Sequence, residues 1–165
     1  MSAAELTIRL ATLEIVHLTE LIDQLLTVIG RAEAASDPAV RRLTPDVYPD
    51  DDEASAEFAD ATRDDLIDRR RADAQVVRAA LAPALTTVGD DDHDTQEHEI
   101  RIALSALDAW LRTLTTLRLV IATRLNIGTD DDHDAENARF GVYDWLGYRL
   151  DRLVELADAH ETGDA

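Results

Sequence analysis

Glu14 and His17 are the first residues whose types and spacing could do chemistry, because they stand three positions apart in an apolar stretch. A glutamate followed by a histidine at this spacing is one element of the di-iron centres of helical bundles. Such a centre needs a second element and two more carboxylates facing the same core, and the sequence offers one copy at a suitable helical phase. The pair therefore favours a structural role, with a small-molecule or metal site as the alternative.

Arg118 falls near the centre of an apolar arc that includes Leu114 and Ile121. A buried guanidinium needs a partner, because an unpaired charge is costly in an apolar interior. We expect Glu14 to be that partner, which would join the first long helix to the fourth. The alternative is that Arg118 lies in a pocket and binds an anionic ligand or a carboxylate of a partner protein.

Several aromatic residues are candidates for contacts at the edge of the core. Trp110, Trp145, Tyr143 and Tyr148 fall on or beside apolar arcs, and an exposed subset of them could anchor a protein interface. Arg149 lies one helical turn from Trp145, a spacing typical of an arginine that stacks on a ring or extends its head to solvent.

The sequence Asp-Asp-Asp-His-Asp occurs twice, at residues 90–94 and 130–134, each time before a predicted helix. Carboxylate oxygens suit Ca²⁺ or Mg²⁺, but consecutive aspartates cannot all turn toward one ion, and the spacing of an EF-hand is missing. We therefore interpret both runs as acidic turns that favour the start of the following helix, and predict no metal site.

The composition removes most enzyme classes. The chain has no cysteine and all sixteen of its basic residues are arginine, which excludes thiol chemistry and a lysine Schiff base. The six glycines are scattered, so no phosphate-binding loop can be built from them. An enzyme is therefore disfavoured, and no cofactor is expected.

The formal net charge of −19 is the strongest global property of the chain. Because nucleic-acid affinity rests on Lys and Arg displacing counterions, direct nucleic-acid binding is disfavoured. The basic run at residues 69–71 is flanked by aspartates that cancel it. No stretch approaches the ~18 uninterrupted apolar residues of a membrane span, and the start lacks a signal-peptide pattern, which predicts a cytoplasmic protein.

Apolar residues recur at intervals of three and four along most of the chain, which predicts an all-α fold. We expect a single-domain helical bundle of four to five helices spanning residues 1–165. The predicted helices cover about 3–34, a short piece through Phe58, 63–85, 95–127 and 135–159. Loops are expected at 36–52, 89–95 and 128–135, and no segment alternates clearly enough to predict a strand.

Three stretches of the chain carry a resemblance to a known family. They are Arg-Leu-Thr-Pro-Asp-Val-Tyr at 42–48, the segment 110–125 with Leu-Arg-Leu around Arg118 and Thr-Arg-Leu around Arg124, and Tyr-Asp-Trp-Leu-Gly at 143–147. In this order the chain resembles, over about residues 5–156, an actinobacterial family of small helical proteins of unknown function.

The resemblance implies a gene neighbourhood and a regulatory role, but no catalytic chemistry. Genes of that family tend to lie near the gene of the ClpS proteolysis adaptor, and some members are labelled transcriptional or oxidative-stress regulators of the AosR type. No catalytic residues are established for the family, and the absence of cysteine excludes thiol-based redox sensing in this chain.

The leading hypothesis is a non-enzymatic regulatory or adaptor protein that acts through protein–protein contacts, with a sigma factor or a proteolysis component as its partner. The alternative is a small-molecule or metal-binding bundle that uses Glu14, His17 and Arg118. The wide apolar arcs are also compatible with a homodimer, since such an arc fits either a central helix or a dimer face.

Overall fold

The computed structural model describes residues 4–31, 34–44, 50–89, 93–128, 134 and 136–163. Most of these residues are helical, which confirms the helical class, but two strands join the helices. The elements in chain order are β1 (Glu5–Ala11), α1 (Thr12–Ile29), α2 (Pro38–Arg42), α3 (Asp52–Thr87), β2 (Glu97–Ala103), α4 (Leu107–Arg124) and α5 (Gly141–Gly163). Short 3₁₀ turns occur at 34–36, 104–106 and 138–140.

The two strands form a small antiparallel sheet in which Ile8 lies opposite Ile100 and Leu6 opposite Ile102. Alternate side chains point into the core, so these four are buried while the residues between them are exposed. The prediction that the chain has no strand is therefore wrong. Both segments fall within predicted helices because Leu6 and Leu10, and likewise Ile100 and Ala103, also fit helical spacing, and a seven-residue stretch allows both periods.

The helix boundaries differ from the predicted ones for the same reason. Helix α1 begins at Thr12, directly after β1, and α4 begins at Leu107, after β2 and the 3₁₀ turn at 104–106. Helix α3 runs without interruption from Asp52 to Thr87, where two pieces were expected, and it contains Pro83 near its end. Helix α2 lies inside the predicted loop at 36–52, while 45–49, 90–92 and 129–133 lie outside the described residues.

The start of α1 is capped by the segment that leads into β2. The backbone N–H groups of Thr12 and Leu13 donate to the carbonyl oxygens of Gln96 and Asp94, at 2.8 and 3.0 Å. The Thr12 hydroxyl also lies 2.8 Å from Nε2 of His98. Because the first N–H groups of a helix have no partner within the helix, these contacts fix where α1 begins.

Helix α3 packs against α1, β2 and α4, and α4 contacts α2 and α5 as well. Arg70 on α3 ties three elements together, since its Nη1 donates to the Thr116 hydroxyl at 2.8 Å and its Nη2 to the Leu43 carbonyl at 3.0 Å. The core that they enclose contains Ile15, Ile22, Val77, Leu81, Ile102, Trp110, Leu114 and Leu146. None of the described helices is long and apolar enough to cross a membrane.

Replacement of Ile100 by Ala tests the sheet. We expect Ile100→Ala to lower the free energy of unfolding by about 2–5 kcal/mol, because it empties a buried site opposite Ile8. The neighbouring Arg101 is exposed, so Arg101→Ala should change the same quantity by no more than about 0.5 kcal/mol. Urea unfolding followed by circular dichroism measures both, and similar effects of the two changes would contradict the strand register.

Candidate functional site

Glu14, in the first turn of α1, accepts hydrogen bonds from three directions. Its Oε2 accepts the backbone N–H of Ala11 at 2.8 Å, and its Oε1 accepts the indole N–H of Trp145 at 2.6 Å. Arg149 donates from Nε to Oε1 at 3.0 Å, and its Nη2 contacts both carboxylate oxygens. Arg149 also donates to the carbonyl oxygen of Arg9 at 3.3 Å. One carboxylate thus joins the end of β1, the start of α1 and the middle of α5.

These contacts set the protonation state of Glu14. Burial acts to raise its pKa, but hydrogen bonds from Arg149, Ala11 and Trp145 outweigh burial, and the pKa of Glu14 lies below its ordinary value. Glu14 is therefore a carboxylate at neutral pH whose charge is balanced by Arg149. This chemistry suits a structural junction and not a general acid, which needs a raised pKa.

The predicted pairing of Glu14 with Arg118 is wrong. The phase of Arg118 on α4 correctly indicates a side chain that faces another helix, but that helix is α5, which lies against α4. The residues of α5 that reach α1 are Trp145 and Arg149, and they occupy the Glu14 carboxylate. Apolar spacing gives the face of each helix but does not say which helix faces it.

An apolar groove, here called the α1–α5 groove, lies beside this junction and has a volume of about 390 Å³. Leu13 and Val142 on its two sides are 44% and 42% exposed, although the apolar spacing of their helices favours burial of both. Glu14, His17 and Trp145 are brought together here, and His17 is exposed. The groove is lined by Leu13, Glu14, His17, Glu20, Leu21, Gln24, Gly141, Val142 and Trp145.

Arg118 lies in a different cavity, here called the Arg118 pocket, so the alternative site that combines Glu14, His17 and Arg118 is not assembled. The guanidinium carbon of Arg118 lies 4.0 Å from the centre of the Tyr143 ring. Close approach of α5 depends on Gly147, where an added Cβ would lie 3.3 Å from Nε of Arg118. The pocket, of about 500 Å³, is lined by Arg42, Thr115, Arg118, Leu119, Ala122, Ile127, Gly128, Tyr143 and Leu150.

One wall of the Arg118 pocket is shaped by the end of α4. Asn126 has a φ of 57°, the left-handed conformation that ends a helix. The N–H of Ile127 then donates to the carbonyl of Ala122 at 2.8 Å, and the N–H of Asn126 to that of Thr123 at 3.2 Å. This turn brings the Ile127 carbonyl within 3.4 Å of Nη1 of Arg42, which belongs to α2.

The remaining candidates have structural surroundings. Trp110 is 1% exposed, so it belongs to the core and not to a surface. Arg124 pairs with Asp37 at 2.6 Å, and this hydrogen bond lowers the pKa of Asp37, which caps α2 by accepting the N–H of Ala39. Tyr148 is 56% exposed, and the centre of its ring lies 5.4 Å from the guanidinium carbon of Arg149.

Within the described part of the chain, no three His, Asp or Glu side chains are grouped so that they could hold a metal ion. Most of each Asp-rich run, at 90–92 and 130–133, lies outside the described residues. Arg42, Leu13 and Val142 were not predicted as site residues. Arg42 stands in one of the stretches that carry the family resemblance, whereas no sequence signal distinguishes exposed Leu13 and Val142 from buried apolar residues.

The fold defines a mostly helical domain with one two-stranded sheet, and a groove and a pocket lie on either side of α5. The chain belongs to the family described as Domain of unknown function (DUF2017), whose model matches residues 1–157. The resemblance drawn from the sequence is thereby confirmed.

Two relatives named Oxidative stress regulator AosR, from Mycobacterium tuberculosis and Mycobacterium bovis, are each 29% identical to the chain over 143 residues. The match covers 76% of this chain and 60% of each relative, so the relatives extend well beyond the matched region. No solved structure matches the chain.

Replacement of Glu14 by Gln tests the junction through its pH dependence. A carboxylate whose pKa is lowered by folding stabilises the protein above its unfolded pKa and loses that effect as the pH falls through the folded pKa. At pH 7 we expect Glu14→Gln to lower the free energy of unfolding by about 1–3 kcal/mol, and this difference should shrink below about pH 4. Urea unfolding at several pH values measures it.

Glu20→Gln is the matched control, because Glu20 is an exposed carboxylate on the same helix. Its effect should stay within about 0.5 kcal/mol at every pH. If Glu14→Gln lowers the free energy of unfolding by the same amount at every pH, the charge of Glu14 has no stabilising role.

Proposed function

We propose that this chain is a cytoplasmic, non-enzymatic regulatory protein that binds a partner protein through the α1–α5 groove. The observation that carries the proposal is the pair of exposed apolar side chains, Leu13 and Val142, on the walls of a groove that Glu14 also lines. Apolar surface that stays exposed in a concave site, with an aromatic residue beside it, is typical of a protein contact. The name of the mycobacterial relatives supports a regulatory role.

The groove favours an amphipathic helix as the bound segment. Two helices form its walls, and a third helix can place residues at i, i+3 and i+4 between them. Trp145 is fixed in the floor by its hydrogen bond to Glu14, so little side-chain freedom is lost there on binding. The groove therefore suits a partner helix with a narrow apolar stripe.

Charge selects the partner further. Glu20 lies on the groove and forms no ion pair with any described residue, whereas Glu14 is paired with Arg149. The whole chain has a net charge of −19. Such a field attracts a basic segment and repels a phosphate backbone. We expect Arg or Lys residues flanking the apolar stripe of the partner helix, as in a sigma factor or a component of a proteolysis system.

The basic run at residues 69–71 supports a protein partner over DNA. Arg70 is turned inward to Thr116 and Leu43, and Arg71 pairs with Asp68 at 2.6 Å. The run thus presents no continuous basic surface. Since the chain has no cysteine, its regulation is proposed to work through occupancy of the groove and not through a thiol.

The test compares Val142→Glu with Val76→Glu. Val142 lies in the groove and Val76 on α3 outside it, and the two are 42% and 41% exposed. In pull-downs from native lysate read by mass spectrometry, we expect Val142→Glu to lower partner recovery by about tenfold or more, because it places a charge on the apolar wall. Val76→Glu should leave recovery unchanged.

Circular dichroism establishes that both variants are folded before the comparison is made. The supporting result is a protein with a basic amphipathic helix whose recovery depends on Val142 and not on Val76. Equal recovery by both variants would contradict the groove as the binding surface. Recovery of the chain itself as the Val142-dependent partner would identify a homodimer in place of a regulatory complex.

A further inference from the structure

Arg118 is one of five described residues that have a buried side-chain nitrogen or oxygen without a hydrogen-bond partner; the others are Thr19, Arg70, Trp110 and Thr113. Unlike Arg70, whose two terminal nitrogens both donate hydrogen bonds, Arg118 donates none within the described residues. Its Nε atom is fully buried, and within the described residues none of its N–H groups has a hydrogen-bond or ion-pair partner. Its only close partner of note is the face of the Tyr143 ring, at 4.0 Å. The buried Nε–H therefore lacks the acceptor that would offset its removal from water.

Other inward-facing arginines show what a structural role looks like in this protein. Arg70 donates to Thr116 and Leu43, and Arg149 is bound to Glu14. The guanidinium of Arg118 instead packs against the Tyr143 ring and against the backbone of α5 at Gly147, and these two contacts restrict its orientation. A fixed, charged donor without an acceptor is the arrangement that binding sites for oxyanions use.

The lining of the Arg118 pocket agrees with this. Arg42 supplies a second guanidinium, whose Nη1 has only long contacts of 3.4 Å to the Thr123 hydroxyl and the Ile127 carbonyl. None of the described residues that line the pocket is acidic, although the chain contains 35 Asp and Glu residues. Two arginines with no acidic side chain among the described lining residues distinguish the pocket from the rest of this acidic protein.

The remaining lining indicates what the anion is attached to. Leu119, Ala122, Ile127 and Leu150 give the pocket an apolar part beside the two guanidinium groups. A net charge of −19 opposes the entry of polyanions, so a ligand with a single negative charge is favoured over one with several phosphates. We propose that the Arg118 pocket binds a small organic monocarboxylate, with its carboxylate on Arg118 and Arg42 and its apolar body on Ile127 and Leu119.

This site is separate from the α1–α5 groove, so it can be tested without a protein partner. The probe is 4-methylpentanoate, titrated into the isotopically labelled chain and followed by two-dimensional ¹H–¹⁵N NMR. The neutral 4-methylpentanamide has nearly the same shape and lacks the charge. We expect saturable shifts from the carboxylate at residues of the pocket, and binding of the amide that is at least about tenfold weaker.

Three variants locate the binding. Arg118→Met should weaken binding of the carboxylate by about tenfold or more, and Arg42→Gln by a few-fold, since Arg42 is exposed. Arg101→Gln removes the same charge from the exposed face of β2. It should have no effect beyond that of making the whole chain one unit more negative. Because Arg42 is exposed, Arg42→Gln decides the matter if Arg118→Met does not fold.

Several results would overturn the proposal. One is equal affinity for 4-methylpentanoate and its amide. Another is an affinity for 4-methylpentanoate that changes neither in Arg42→Gln nor in Arg118→Met, where the latter is folded. Inorganic phosphate is titrated in parallel, and tighter binding of phosphate than of 4-methylpentanoate would contradict a singly charged organic ligand. None of these results bears on the dependence of partner recovery on Val142.

Discussion

The carboxylate of Glu14 is the group on which the arrangement of both cavities depends. It accepts the N–H of Ala11 where β1 meets α1, next to the N–H groups capped by Gln96 and Asp94, and through Trp145 and Arg149 it ties α5 to this point. Helix α5 otherwise packs mainly on α4, so its relation to α1 is determined by these long side chains. One helix therefore contributes Trp145 to the groove and Tyr143 to the Arg118 pocket.

The sequence predicted the helical class, because apolar residues recur at intervals of three and four along most of the chain. It did not predict β1, since Leu6 and Leu10 satisfy both the strand and the helix period. It identified Glu14, His17, Arg118 and Arg149 as polar groups in apolar surroundings. His17 is exposed, and the other three are partly buried. Their partners depend on which helices are neighbours, and spacing within one helix carries no such information.

The acidic composition is compatible with a stable fold because many arginines are paired locally. Arg112 forms a two-pronged pair with Asp73 between α4 and α3, at 2.8 and 2.9 Å, and Arg78 pairs with Asp23 between α3 and α1. Such exposed pairs are each worth little, but they place positive charge between helices that would otherwise repel. The positive charge of Arg118 stands apart from this pattern.

The β1–β2 pairing also constrains how the chain reaches its fold. Strand β1 comes first in the sequence, yet its partner and the caps of α1 lie more than 80 residues later, as in the Thr12–His98 contact. During synthesis β1 has no strand partner until β2 has left the ribosome. The long sequence separation of the paired strands raises the contact order, and the loop between them must close before the sheet can form. We therefore expect this domain to fold more slowly than its helical content suggests.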